Sequence, residues 1–393
     1  MTIRGPACLG QPGRSHTGPP ETQVHVLVAG VSREAVCGVR DHASILSAAM
    51  AEQGADVSVV WHDDLEGSGP ALGGLARELE RNCRDKGRVV VLLHYSVFAF
   101  SWRGIPVGVP FFALRLRHLG LPVVLFAHEF AYPWGRRGWR GTLQALTQRV
   151  ALVPLVAASR AIVVTTPERV QWLQTRRWLP RRPINCTPIF SNIGPVPGSD
   201  HVDEVPGRVG VFSFGAESLE AETVVSAIAD LRAAVPGAHL VLIGAPGPNS
   251  PAGRRWAHAA EAAGCPLMFT GVIDEAEVSR QLSSCRVVAF PDPAGPAPRR
   301  GSLAAALAHG KAVVALDGPQ RWEDLVTAGA VVLAQPTRNA LGAALRQLLD
   351  DEPLRASVSS KARAFAQERL SPVRAAKVVL DLARSAVEES WAQ

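Results

Sequence analysis

Two adjacent arginines, Arg299 and Arg300, stand directly before Gly301, Ser302 and an Ala/Leu-rich run, Leu303 to His309, that ends at Gly310. Residue types in this order make an anion site. The first turn of a helix presents N–H groups without intrahelical acceptors, at the positive end of the helix dipole. A guanidinium fork matches two phosphate oxygens at once. Gly301 lets a backbone come close to a ligand, and Ser302 is placed to cap the helix. The competing reading is a buried helix with an ordinary cap and two solvated arginines.

Other residues with chemistry to offer stand where apolar runs end. His128 and Glu129 follow Pro122–Ala127, and His94 closes the run that begins at Arg88. Thr270 and Gly271 close a shorter run in the second half, and a simple turn is their plainer reading. Cys37-Gly38-Val39-Arg40-Asp41-His42 fills the loop after the first strand signal. Asp41 there is a candidate helix N-cap. Arg40 points either into a cleft or into solvent, and His128 has a second reading as a hydrogen-bonded loop anchor.

These residues need elements to position them. Val24–Gly30, Ala55–Val60, Arg88–His94, Pro122–Ala127 and Ala161–Thr165 read as strands. Helix patterns lie between them, near 41–53, 71–84 and 141–159. The pattern lapses over Ile193–Pro206, IGPVPGSDHVDEVP, whose Pro, Gly and acidic residues suit a linker. It restarts with strands at Val209–Phe214, Ala238–Gly244, Leu267–Thr270, Arg286–Phe290 and Ala312–Leu316, and a last helix over Pro372–Trp391. Short β-branched runs alternating with helices predict an α/β fold of two Rossmann-like halves with parallel sheets. Ligands of such sheets sit outside the carboxyl ends of the strands. The domains expected are 23–195 and 196–370, with a tail of 1–22 without order and a C-terminal helix, 371–393, that crosses back to the first half.

The 393 residues, 47% hydrophobic and 19% charged, suffice for two cores at roughly 100–200 residues each. No apolar run reaches the roughly 18–20 residues of a membrane span, and the Pro/Gly-rich start lacks a signal-peptide core. A cytoplasmic protein is expected. The net charge is +6, and only four of the 41 basic residues are lysines. No arginine run interleaved with aromatics suggests nucleic acid as a partner. Six scattered cysteines without a CxxC pair argue against structural zinc and a disulfide framework. There is no Asp-x-Asp metal motif, so metal independence is expected. The first βα loop lacks G-x-G-x-x-G, which sets aside a nicotinamide-dependent oxidoreductase.

The stretch Pro291–Gly318, PDPAGPAPRRGSLAAALAHGKAVVALDG, resembles the donor-binding region of GT-B glycosyltransferases of the family 4-like group. The likeness is sharpest from Arg299 to Val314 and diffuse elsewhere. It implies transfer of a sugar from a nucleotide diphosphate sugar, of UDP or GDP type, to a small-molecule or glycan acceptor. It places Arg299, Arg300, Gly301, Ser302, Phe214, Gly215, Thr270 and Gly271 at the donor. It places Gly38, Val39, Arg40, His42, Tyr132 and His94 on the acceptor and sugar side. His128 is implied to lie near the sugar, with Asp41 and Glu129 as further catalytic candidates. The resemblance also implies retention of anomeric configuration, with no resident cofactor. The chain departs from the family at two points. Ala297 and Ala305 stand where the Glu-x7-Glu pair is expected, and Phe212–Glu217 lacks the usual basic residues. Those departures keep open a non-catalytic GT-B-like partner protein as a rival, and the shared fold keeps open a sugar-nucleotide epimerase. The Arg-rich style points to specialised metabolism such as antibiotic assembly, with cell-surface polysaccharide as the competing acceptor class.

Overall fold

The structure is a computed structural model that describes residues 24–391 except 34–36, 65–71, 85–87, 102, 132, 136–137, 199–201, 214–217 and 246. The expected tail, 1–22, and the candidates Tyr132, Phe214 and Gly215 lie outside the described residues.

The first half runs β1 (His25–Ser32), α1 (Gly38–Glu52), β2 (Asp56–Asp63), α2 (Leu72–Arg84), β3 (Val89–Ser96), α3 (Val109–His118), β4 (Val123–Glu129), α4 (Gly138–Ala158), β5 (Ala161–Val164), α5 (Pro167–Thr175) and β6 (Ile184–Cys186). The second half runs β7 (Arg208–Phe212), α6 (Ala221–Leu231), β8 (His239–Ile243), α7 (Pro251–Ala263), β9 (Leu267–Phe269), α8 (Glu275–Ser283), β10 (Val287–Phe290), α9 (Gly301–Ala308), β11 (Val313–Leu316), α10 (Glu323–Thr327), β12 (Val332–Ala334), α11 (Arg338–Asp350), α12 (Glu352–Arg369) and α13 (Pro372–Trp391). Each half forms one six-stranded sheet, in the orders β2-β1-β3-β4-β5-β6 and β12-β11-β10-β7-β8-β9. Every strand pairing is parallel. Strands such as Val89–Ser96 are buried along their whole length, because helices cover both faces.

Strand order reverses beside β1 in the first sheet and beside β7 in the second. The crevices that bind ligands form there, outside the carboxyl ends. The loop after β10 that carries Arg299 lies at the second reversal, because β10 pairs with β7.

The last helix fastens the halves together. α13 leaves the second half and packs on α1, β3, β4 and β5 of the first. Ala376, Val379, Leu380 and Ala383 enter a buried cluster that continues through Phe190 and Ile193 of the connecting segment to Phe290 and Leu303. Gln53 Nε2 donates to the Val373 carbonyl at 2.9 Å. Among the described residues no helix is long and apolar enough to cross a membrane, and no disulfide links the described cysteines.

Leu380 is 4% exposed in this contact. Leu380→Ala is therefore expected to lower unfolding stability by about 2–5 kcal/mol, through lost burial and a residual cavity. Urea unfolding measures it, and a change within error would mean that α13 is not anchored there.

Candidate active site

The loop after β10 is built around a buried acid. Asp292 is 2% exposed, and its Oδ1 accepts from the Ala294 N–H at 2.9 Å. The Arg300 guanidinium ion-pairs with its other oxygen. The loop then crosses the segment after β11. A Cβ on Gly318 would lie 2.5 Å from the Ala294 carbonyl carbon, and Gly295, at φ +93°, would also meet Gly318 backbone. Both glycines are needed for that crossing. Gln320 N–H donates to the Ala294 carbonyl at 2.7 Å. Arg299 Nη2 donates to Gln320 Oε1 at 2.8 Å, which fixes that guanidinium at the cleft wall.

α9 begins at Gly301, with Arg300 as N-cap and no side chain capping it. This corrects the expectation for Ser302. Ser302 falls inside the first turn, two residues past where a capping side chain would act. A Cβ on Gly301 would meet nothing within 4 Å, so the space before this helix end is open. Behind it, Leu303–Leu307 are buried, and α12 packs against α9.

The first half supplies the opposite wall. Arg169, in the first turn of α5, donates to the His128 carbonyl and, at 2.7 Å, to Thr165 Oγ1. Arg169, Glu129 and Glu168 line one cleft of about 390 Å³ together with Ala297, Arg299 and Gln320. Burial pushes the Arg169 guanidinium down to about 10, and Arg299 across the cleft adds to this, against Glu129 and Glu168. Burial also lowers Arg299, as does neighbouring Arg300. Both remain cations at neutral pH.

Sequence reasoning missed Arg169. The signal was present: Thr166 caps α5 through its Oγ1, and Pro167 opens the first turn directly after β5. A Thr-Pro pair after a buried strand marks a helix start at the carboxyl edge.

The candidates on the acceptor side gather differently from expectation. Glu129 lines the cleft, and His128 lies behind it. His128 Nε2 and His94 Nδ1 are 3.0 Å apart. His42 stacks on Phe190 at 4.0 Å and meets His128 edge-on at 5.3 Å. Neither ring nitrogen of His42 has a hydrogen-bond partner, nor does His94 Nε2. Burial pushes His42 down to about 3 and holds His94 and His128 well below the usual range; His42 lowers His94 further, and His94, His42 and Arg169 lower His128. The three rings are therefore neutral. Among the described residues no group of three or more His, Cys, Asp or Glu is arranged to hold a metal ion.

α1 starts at Gly38 with Cys37 as N-cap, three residues before the expected start. Asp41 thus lies within the helix and does not cap it, a second correction. Burial raises its carboxyl, and Arg40 opposes this. Arg40 itself pairs with Asp63 at the end of β2, 3.0 Å away. Val39 is half-buried beside it. The Gly38 carbonyl accepts from Asn192 Nδ2 at 2.9 Å. Thr270 Oγ1 accepts from the Gly244 N–H at 2.9 Å, tying the ends of β8 and β9, and Gly271 turns the chain at φ +70°. Those two stand two strands beyond β7 from the arginine loop.

Residues 209–351 match the family described as glycosyl transferases group 1. That stretch runs from β7 to the end of α11, in the second half. The GT-B fold of the whole chain, two parallel sheets facing across a cleft, is shared with solved structures of low identity. A sucrose-phosphate synthase from Thermosynechococcus elongatus is 17% identical at TM-score 0.67, over 92% of this chain and 98% of that one. Anabaena HepE in complex with UDP and glucose is 16% identical at 0.65, over 91% and 99%. An α,α-trehalose 6-phosphate synthase from Burkholderia multivorans is 14% identical at 0.64, over 94% and 98%. No curated protein sequence matches the chain.

The buried histidines make stability depend on pH. Their folded pKa values lie below the ordinary value of about 6.5, so the unfolded chain binds protons that the folded protein excludes. Their stabilising effect is full above about pH 6.5 and is lost as pH falls toward the folded values, about 3 for His42. His42→Phe keeps the stack on Phe190 and removes one such group. It is expected to leave stability at neutral pH unchanged or higher. It should reduce the acid slope by up to about 1.4 kcal/mol per pH unit in urea melts. An unaltered slope would contradict the burial of a neutral His42.

Proposed function

We propose that this protein is a glycosyltransferase that moves a sugar from a nucleotide diphosphate sugar, of UDP or GDP type, to an acceptor bound on the first-domain side of the cleft. The observation that carries this reading is the meeting of Arg169 and Arg299 across one cleft, beside the uncapped start of α9. Two guanidiniums and a helix N-terminus in a partly desolvated space form a site for a diphosphate. HepE, of the same fold, was solved with UDP and glucose, which agrees with a donor of this class.

The leaving diphosphate gains negative charge as the glycosidic bond breaks. Arg299 and Arg169 would stabilise that charge from opposite walls, with no metal required. Arg300 has a different part: its charge is matched by Asp292, so it braces the loop that presents Arg299. Ala297 lines the cleft and Ala305 is buried within α9, so carboxylate contacts to sugar and ribose do not come from these positions.

His128 is a poor candidate for a general base. A ring held so far below its ordinary pKa gives a conjugate acid too strong to keep a proton near neutral pH. The orphaned His94 Nε2 bears on its tautomer. A buried acceptor left unpaired is more common than a buried N–H left unpaired. The favoured arrangement therefore has His94 Nδ1–H donating to His128 Nε2, which leaves His128 with its N–H at Nδ1. A reaction with retention needs no strong base, and Glu129 and Glu168 are the carboxylates at the cleft wall should inversion occur.

One observation favours a second reading, a GT-B-like partner without turnover: the two alanines in place of glutamates. Calorimetry separates the readings. Arg299→Ala is expected to weaken UDP or GDP binding by about tenfold to a hundredfold, the loss of a charge-assisted hydrogen bond. No donor-nucleotide binding by the wild type would favour the partner reading. Unchanged affinity in the variant would remove Arg299 from the site.

A further inference from the structure

α3 and α4 lie side by side on one face of the first sheet, and both turn apolar side chains outward. On α4 the exposed apolar residues are Trp139, Leu143, Leu146 and Val150, spaced four, three and four apart, one helical stripe. On α3 they are Phe111 and Leu114, again one face. Phe111 is 75% and Trp139 72% exposed. The inward faces of the same helices, through Phe112, Leu116, Leu152 and Leu155, are fully in the core. Each helix is thus apolar on two sides, which folding alone does not need. Exposed stripes on neighbouring helices mark a surface that meets a partner.

The charge around the stripes says which partner. From Val97 to Ala158 the sequence holds seven arginines and a single acid, Glu129, which faces the cleft. Arg117 and Arg140 are exposed on these two helices. Arg140 lies against Trp139, its guanidinium 5.5 Å from the ring centroid. Arg115 is matched by Glu80 of α2. A second copy of the chain fits poorly, because a two-fold interface would set this basic set against itself. An anionic bilayer surface fits on both counts. Apolar side chains insert at the headgroup boundary while arginines hold the lipid charge.

We propose that the α3–α4 face docks this protein on anionic membrane surfaces, without spanning them. The inference does not rest on the donor reading, because its readout is vesicle binding in the absence of nucleotide.

The test is flotation of the full chain with vesicles of phosphatidylcholine alone and vesicles enriched in phosphatidylglycerol. Binding is expected to the second kind only, and to weaken at high salt, as screened surface charges require. Phe111→Ser with Leu146→Ser should reduce that binding by at least about tenfold, since two apolar side chains no longer insert. Arg117→Glu with Arg140→Glu should do the same, and both pairs are on the surface, so circular dichroism should match the wild type. Equal binding to both vesicles, or to neither, overturns the proposal. So does a stable dimer in light scattering that the Phe111→Ser, Leu146→Ser variant abolishes, for then a second copy covers the face.

Discussion

Two like charges share the cleft of this protein, and much of the structure serves to hold them there. Arg169 and Arg299 follow strands of different sheets, and Arg299 weakens Arg169's hold on a proton in a partly buried space. Such a pair is unfavourable unless its surroundings fix it and something negative answers it. Glu129 and Glu168 answer it in part, and Gln320 and the His128 carbonyl tie the guanidiniums in place. An anion with several oxygens completes the balance, which is why a diphosphate suits this cleft better than a neutral ligand does.

The pairing depends on how the two sheets are set. Both present their carboxyl ends to the cleft, and the segment between them joins those ends directly. Ile189 N–H donates to the Pro298 carbonyl, one residue before Arg299, at 3.0 Å. Three residues on, Asn192 reaches the Gly38 carbonyl at the start of α1. The arginine loop of the second sheet and the first helix of the first are therefore anchored to one short stretch of chain. α13 closes the arrangement from behind by burying its apolar face on the first sheet.

Much of the fold was legible because parallel strands buried on both faces leave continuous β-branched runs, as in Arg88–His94 and Ala312–Leu316. The last helix was legible to its ends. Arg299 was legible as a cleft residue because Gly and Pro punctuation around it placed it between a strand and a helix. α3 and α5 were not read, since VPFFALRLRH and PERVQWLQT are short and stand close behind strand ends. With α5 went Arg169, half of the arginine pair. The histidines illustrate a different limit. His42, His94 and His128 are 52 and 34 residues apart in sequence, from 94 − 42 and 128 − 94. Only the register of β3 with β4, and the seat of α1 above them, brings them into one buried cluster. The capping of α1 and α9 went wrong for a local reason: Asp41 and Ser302 are good caps by type, but each helix had already begun.

The claim that arginines from both domains hold one diphosphate has a direct test. Calorimetry compares UDP with uridine, and GDP with guanosine, for the wild type and for the variant carrying both Arg169→Ala and Arg299→Ala. The diphosphate should make the wild type favour the nucleotide over its nucleoside by about a hundredfold or more, and the preference should nearly vanish in the double variant. A double variant that keeps the full preference would place the diphosphate somewhere other than between these two side chains.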